Sequence, residues 1–147
     1  LYLGMKNNSL EILDRECFRD LSKLLLVLMP ENRLTEIPDN IFDNCSSLQM
    51  VDFSHNKIRS IGMHVFSNRI PASVCGLRQL QHLDMKNNSL EILDRECFRD
   101  LSKLLLVLMA ENRLTEIPDN IFDNCSSLQV VDFSKISLHS NPWACTC

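Results

Sequence analysis

The sequence lacks the features of several functional classes. It has three glycines and a single tryptophan, and no glycine-rich phosphate loop accompanies its carboxylates. With a net charge of −4 and no block of Lys and Arg, it lacks the clustered positive charge that is typical of nucleic-acid binding. The longest apolar run, Leu104–Ala110, is far shorter than the roughly 20 residues of a membrane span. The chain begins at Leu1 without a signal-peptide pattern.

Repetition at two levels organises the chain. Residues 5–54 recur as residues 85–134, an offset of 80 positions, with only Pro30 changed to Ala110 and Met50 changed to Val130. Inside this unit a finer period of 24 follows the pattern LxxLxLxxNxLxxL, counted here from the first leucine as position one. Position nine is an asparagine in five repeats: Asn8, Asn32, Asn56, Asn88 and Asn112.

The spacing predicts a short strand in each repeat. Positions four and six, such as Val27 and Met29, point to one side because side chains along a strand alternate with period two. Successive strands are expected to stack as a parallel sheet on a concave face. The asparagine lies where the chain leaves the strand, and its amide can satisfy backbone groups that would otherwise be buried without partners.

The pattern resembles the leucine-rich-repeat family over nearly the whole chain. The resemblance implies an α/β horseshoe solenoid with a short-stranded parallel sheet on the concave face and a mostly irregular convex side. We expect repeats of about 24 residues over residues 1–134. The alternative is an amphipathic helical protein, but a helix would not fix an asparagine at one phase of such a period.

The period breaks twice. After Phe66 the next repeat is due near residue 72 but begins at Leu80, and residues 70–80 resemble the returning half of another repeat. We expect two return segments with no strand between them and a bulging loop at 67–76. At the second break, Ile136 replaces the asparagine, and a fresh strand with Asn141 as its turn residue would restore the register. Recombination of whole repeats and a faulty gene model both fit these joints.

The last residues, Asn141-Pro-Trp-Ala-Cys-Thr-Cys147, resemble the NPWxCxC opening of the cysteine-rich C-terminal cap of extracellular leucine-rich-repeat proteins. The resemblance implies that Trp143 covers the end of the core and that Cys145 and Cys147 pair with cysteines further downstream. We therefore expect residues 135–147 to begin a truncated cap. A soft metal bound by this CxC is the alternative, but no second Cys or His cluster supports it.

The other cysteines fall at defined phases of the repeat. Cys45 and Cys125 occupy a core leucine position and should be buried, whereas Cys17 and Cys97 precede the core phenylalanine and should be partly exposed. Cys75 lies in the irregular segment. Four N-x-S sequons, at Asn7, Asn44, Asn87 and Asn124, together with the cap motif, favour a glycosylated secreted or cell-surface protein, membrane-anchored in its full-length form.

The strand residues that do not enter the core should form the binding surface, since solenoids bind on their extended inner face. Outward leucines in the second and fifth repeats give apolar patches, and Asp52, Asp84 and Asp132 give an acidic strip at position five. Position seven, which includes Pro30, Ser54 and Ala110, is also expected to face outward. The candidate ligand-binding residues are Leu26, Leu28, Glu31, Asp52, His55, His82, Asp84, Lys86, Leu106, Leu108, Glu111 and Asp132.

Two kinds of receptor match these features: Toll-like receptor ectodomains and the variable lymphocyte receptors of jawless vertebrates. The resemblance implies immune recognition of a protein ligand or co-receptor. Catalytic residues, metal ligands and cofactors are not expected, and membrane attachment would come from segments outside these 147 residues. The alternatives are an adhesion or matrix protein, an intracellular scaffold, and a face that binds nothing because glycans or further repeats cover it. A second copy of the chain, forming a homodimer, is a further candidate partner.

Overall fold

The computed structural model describes residues 1–61, residue 65 and residues 77–138. Its strands are β1 (Tyr2–Gly4), β2 (Leu26–Leu28), β3 (Met50–Asp52), β4 (Ser60–Ile61), β5 (His82–Asp84), β6 (Ile92–Leu93), β7 (Leu106–Leu108) and β8 (Val130–Asp132). Six of them form one parallel sheet in the order β1-β2-β3-β5-β7-β8, and β4 pairs in parallel with β6. This is the solenoid that the repeat predicts, with one coil of chain for each strand of the main sheet.

The register of the main sheet keeps every coil in phase. Val27 pairs with Val51, Val51 with Leu83, and Leu83 with Val107, so position four always lies opposite position four. The offset is 24 residues at most steps but 32 between β3 and β5. Within the described residues β3 pairs directly with β5, which confirms that no strand of this sheet comes between them. The bulging loop predicted at 67–76 lies outside the described residues.

Burial at positions four and six holds the coils together. Val27, Val51, Leu83 and Val107 are fully buried, and each three-residue strand from β2 to β7 buries its middle side chain while its flanking ones stay partly exposed. Burying such a side chain stabilises the fold by roughly 1.5–3 kcal/mol. The alternation predicted from the sequence is therefore confirmed.

The asparagine ladder is also confirmed. Asn56 Nδ2 donates to the carbonyls of Met29, Phe53 and Ser54 at 3.0, 2.9 and 3.3 Å, and its Oδ1 accepts from Leu34 N at 3.0 Å. One side chain thus satisfies backbone groups of its own coil and of the coil before it. The same arrangement recurs at Asn32, Asn88 and Asn112.

The return side consists mostly of turns, with β4 and β6 as the short paired strands there in the described residues. Phenylalanines from adjacent turns stack there, with ring centroids 5.3 Å apart for Phe18 and Phe42 and again for Phe98 and Phe122. No helix in the described part of the chain is long and apolar enough to cross a bilayer.

The thiols are placed partly as predicted. Cys45 and Cys125 are buried at 0% and 6% exposure, and Cys17 is exposed. The prediction for Cys97 is wrong, since its exposure is 0%. Cys17 and Cys97 lie in identical local sequence, but Cys17 belongs to the first described coil, whereas Cys97 belongs to a coil within the solenoid. Position along the solenoid, not local sequence, decides this difference.

Candidate functional site

The outward face of the main sheet gathers eight of the twelve predicted binding residues. Across the sheet, position three reads Leu26, Met50, His82, Leu106 and Val130, and position five reads Leu28, Asp52, Asp84, Leu108 and Asp132. Side chains in one row come from adjacent strands about 4.8 Å apart. The other four, Glu31, His55, Lys86 and Glu111, follow directly after the strands.

Two columns of leucine stand on this face, one along β2 and one along β7. Leu25, Leu26 and Leu28 form the first, and their copies Leu105, Leu106 and Leu108 form the second. Leu25 is 39% exposed, and the other five are half-buried. Because β3 and β5 lie between them, the two columns are about 14 Å apart.

A pair of carboxylates lies between the leucine columns. Asp52 and Asp84 are direct neighbours in the register of β3 and β5. Each accepts a hydrogen bond from the backbone two residues further on, Asp52 Oδ1 from Ser54 N at 2.8 Å and Asp84 Oδ1 from Lys86 N at 3.0 Å. Lys86 Nζ lies 3.4 Å from Asp84 Oδ2. Burial, reinforced by the charge of Asp52, raises the pKa of the Asp84 carboxyl despite these bonds.

Asp132 stands apart from this pair, since Leu108 separates it from Asp84 in the row. Its Oδ1 accepts from Ser134 N at 2.9 Å, and this bond lowers its pKa. All three aspartates therefore shape the end of a strand as well as adding charge. This role was not predicted from the sequence, although an Asp that bonds the amide two residues on is a known turn signal.

The prediction that position seven faces outward is wrong for three of its residues. Pro30, Ser54 and Ala110 are buried, with exposures of 6% for Ser54 and 5% for Ala110. The Pro30 carbonyl accepts from Asn32 Nδ2 at 3.2 Å and from Asn7 N at 3.0 Å. These bonds hold the residue against the asparagine ladder, away from the open face.

The backbone at position eight of the repeat lies in the left-handed region, which was not predicted from the sequence. The φ angles of Glu31, His55 and Glu111 are 58°, 57° and 58°. Non-glycine residues rarely adopt this region, but asparagine does so more readily, so Asn7 and Asn87 at the same position were the available signal. The side chains are held by neighbouring coils, as in the Lys6–Glu31 and Lys135–Glu111 ion pairs at 3.2 and 3.0 Å.

The four sequons lie at two kinds of place, and all four asparagines are exposed. Asn7 and Asn87 follow β1 and β5 of the main sheet by three residues each. Asn87 Nδ2 lies 3.0 Å from His55 Nδ1. Asn44 and Asn124 lie in return turns. Each of these two borders a polar cleft, of about 290 Å³ beside Asn44 and about 230 Å³ beside Asn124.

In the part of the chain that the structure describes, no group of three His, Cys, Asp or Glu residues could hold a metal ion. The C-terminal motif Asn141–Cys147, with Cys145 and Cys147, lies outside the described residues, as does Cys75.

Comparison with known proteins agrees with this geometry. A family described as "BspA type Leucine rich repeat region (6 copies)" matches residues 5–75 and 56–141. Leucine-rich repeat-containing protein 3 of Danio rerio is 31% identical over 127 residues, which cover 86% of this chain and 41% of that protein. Leucine-rich repeat-containing G-protein coupled receptor 5 of Rattus norvegicus is 30% identical over 110 residues, 75% of this chain and 11% of the receptor.

Among solved structures, that of a TLR13–ssRNA13 complex superposes with a TM-score of 0.82 over 92% of this chain and 18% of the matched chain, at 21% sequence identity. At this identity the likeness shows a shared fold. The chain thus spans less than half the length of either curated relative and less than a fifth of this structural neighbour.

Proposed function

The chain belongs to the BspA-type leucine-rich-repeat family, and from that premise we propose that it is a protein-binding recognition module of a secreted or cell-surface receptor. The binding surface in this proposal is the outward face of the main sheet. The observation that carries it is the pair of leucine columns on β2 and β7, which stand on that face with Asp52, His82 and Asp84 between them. Apolar centres within polar surroundings are the usual anatomy of a protein interface.

The charge of the face favours a protein ligand over a nucleic acid. Asp52, Asp84, Glu31 and Glu111 all lie on it or at its rim, so a phosphate backbone would meet negative charge. The RNA in the matched TLR13 structure belongs to that protein. The resemblance of the 24-residue repeats and of residues 141–147 to Toll-like receptor ectodomains supports immune recognition as the particular role that we propose.

The location that we propose is outside the cell. Asn44 and Asn124 are exposed in return turns, so glycans there would leave the leucine columns uncovered. Glycans on Asn7 and Asn87 would border the face at the ends of β1 and β5. The relation to a G-protein coupled receptor supports a cell-surface context. We further propose that residues 135–147 begin a C-terminal cap of the NPWxCxC kind.

An intracellular scaffold is the second candidate, and one observation favours it. Cys17, Cys45, Cys97 and Cys125 are all free thiols in the structure, as is usual in reducing compartments. Expression in a secreting host separates the two candidates. The receptor proposal predicts glycan on Asn44 and Asn124, whereas secreted chain without glycan at either site favours the scaffold.

The binding face is tested by paired substitutions of equal chemistry. Leu26→Glu with Leu106→Glu places two charges within the leucine columns, and Ser22→Glu with Ser102→Glu places the same charges in exposed return turns. Both variants and the unaltered chain are measured by surface plasmon resonance against a panel of cell-surface and secreted proteins. For any partner found, we expect the leucine variant to lose at least roughly tenfold in affinity. Equal weakening by the serine variant would refute the proposed face.

A further inference from the structure

One row of the binding face has a definite chemical order. Leu28, Asp52, Asp84 and Leu108 are consecutive neighbours across β2, β3, β5 and β7. With strands about 4.8 Å apart, the two leucines are separated by about 14 Å. The midpoint between the two carboxylates therefore lies about 7 Å from each leucine.

The centre of this row carries excess negative charge. Two carboxylates stand there, and among the described residues the ammonium group in ion-pair contact with them is that of Lys86, whose Nζ is 3.4 Å from Asp84 Oδ2. Lys6 and Lys135 pair with Glu31 and Glu111 at the rim of the face. Asp84 is half-buried, so its charge is less solvated than that of an exposed carboxylate. A cation brought to this place gains more than it would beside a fully solvated pair.

The spacing of the row matches an extended peptide. In an extended chain alternate side chains face the same way, so residues i, i+2 and i+4 are about 7 Å apart and span about 13 Å. On a helix, residues i, i+4 and i+8 span about 12 Å but turn by about 80° around the axis, so an extended segment fits the row better. An arginine at i+2 would reach the carboxylate pair with a planar group suited to two acceptors.

Resting on the binding role assigned to this face above, we propose that the row Leu28–Asp52–Asp84–Leu108 binds an extended segment of a protein partner with the order apolar-x-basic-x-apolar. The segment runs across the strands of the sheet. Its two apolar side chains lie on Leu28 and Leu108, and its basic side chain lies between Asp52 and Asp84.

Labelled ten-residue peptides test this order directly. One contains Leu-Ser-Arg-Ser-Leu, a second replaces the arginine with glutamate, and a third moves the arginine next to the first leucine, so that it points to the other side. Fluorescence anisotropy with the whole chain measures their affinities. We expect the first peptide to bind at least roughly tenfold more tightly than the other two, and to weaken as salt is raised.

Protein variants separate charge from apolar contact. Asp52→Asn with Asp84→Asn keeps an oxygen that can accept from Ser54 N and Lys86 N, and it should abolish the preference for the arginine peptide. Asp39→Asn with Asp119→Asn removes two charges from exposed return turns, away from the face, and should keep the preference. Leu28→Ala with Leu108→Ala should weaken all peptides.

The inference is wrong if the arginine peptide does not bind at millimolar concentration, or if it binds no better than the two comparators. It is also wrong if the Asp52→Asn and Asp84→Asn variant keeps the preference. The wider function is judged separately. If a protein partner remains sensitive to Leu26→Glu and Leu106→Glu while the arginine peptide fails, the face binds proteins but not by this order.

Discussion

Single polar side chains set the shape of each coil where the strand ends. Asn56 donates to three carbonyls and accepts from one amide, and these groups belong to two successive coils. An apolar residue of similar size would leave the Leu34 amide without a partner in a buried place. It would also remove one bond from each of the three carbonyls, which accept in addition from Asn32 Nδ2, Asn88 Nδ2 and Glu31 N. The fixed phase of asparagine was enough to predict this ladder because the chemistry depends only on the residue and its position.

Removing a ladder asparagine should be costly in the middle of the solenoid and mild at its start. Asn56→Ala leaves the buried Leu34 amide unsatisfied, so we expect the free energy of unfolding to fall by about 1–3 kcal/mol. Asn8→Ala is the matched control, because Asn8 is exposed and water can replace its bonds to Met5 and Lys6. Urea denaturation followed by circular dichroism measures both, and equal losses would contradict the account.

The aspartates at position five should affect stability in opposite directions. Burial raises the pKa of Asp84 in the folded chain above its value in the unfolded chain. The contribution of Asp84 to stability is therefore fully present below the unfolded pKa and is lost as pH rises through the folded pKa. The bond from Ser134 N lowers the pKa of Asp132, so its contribution is present above the unfolded pKa and is lost as pH falls through the folded value.

Asp84→Asn is therefore expected to be more stabilising at pH 7 than at pH 3. Asp132→Asn is expected to be more destabilising at pH 7 than at pH 3. Denaturation curves of the two variants at both values of pH check the signs. A change of the same sign in both variants would show that the two carboxylates do not differ in environment as described.

At the scale of the strand and its flanking turn, the sequence predicts which strand side chains enter the core better than it predicts which way the residues after the strand face. Positions three to five of the repeat form strands in the expected phase. The side chain at position four is buried in β2, β3, β5 and β7. The outward assignment of Pro30, Ser54 and Ala110 failed because the strand ends before them and the chain bends against the ladder. Strand periodicity does not extend into a segment that leaves the sheet.

Copies of one core residue in different coils should differ in their contribution to stability. Phe53 and Phe133 occupy position six in copies of the same segment, but Phe53 is fully buried and Phe133 is partly exposed. We expect Phe53→Ala to cost about 3–5 kcal/mol and Phe133→Ala clearly less. Thermal or urea unfolding of the two variants gives the comparison. A similar cost at Phe133 would mean that its side chain is covered in solution.

At the scale of the whole molecule, the neighbouring coils determine how far a residue is buried where the local sequence is the same. Cys17 and Cys97 share their local sequence but are exposed and buried respectively. The eight extra residues between β3 and β5 leave the main sheet continuous, since the two strands pair directly. The repeat predicted the solenoid, whereas contacts at its ends and joints depend on which coils are adjacent.

Stability should therefore vary along the solenoid, because each coil depends on its neighbours. The amides of Met5, Phe53 and Met109 donate equivalent bonds to the next coil, at 2.8, 2.9 and 2.8 Å. Hydrogen exchange followed by NMR should find slower exchange at Phe53 than at Met5 or Met109, because opening from the ends requires fewer contacts to break. Equal rates at all three amides would indicate that the solenoid opens only as one unit.

The most direct test of the central claim, that the outward face of the main sheet is the binding surface, is methyl cross-saturation NMR. The chain carries labelled Leu and Ile methyl groups, and a protein partner from the binding panel is the source of saturation. We predict attenuation of the leucine methyls of β2 and β7, with Leu25, Leu26, Leu106 and Leu108 foremost. Ile12 and Ile92, which are 76% and 68% exposed away from that sheet, should be unaffected. Attenuation at Ile12 and Ile92 with none at the leucines would contradict the claim.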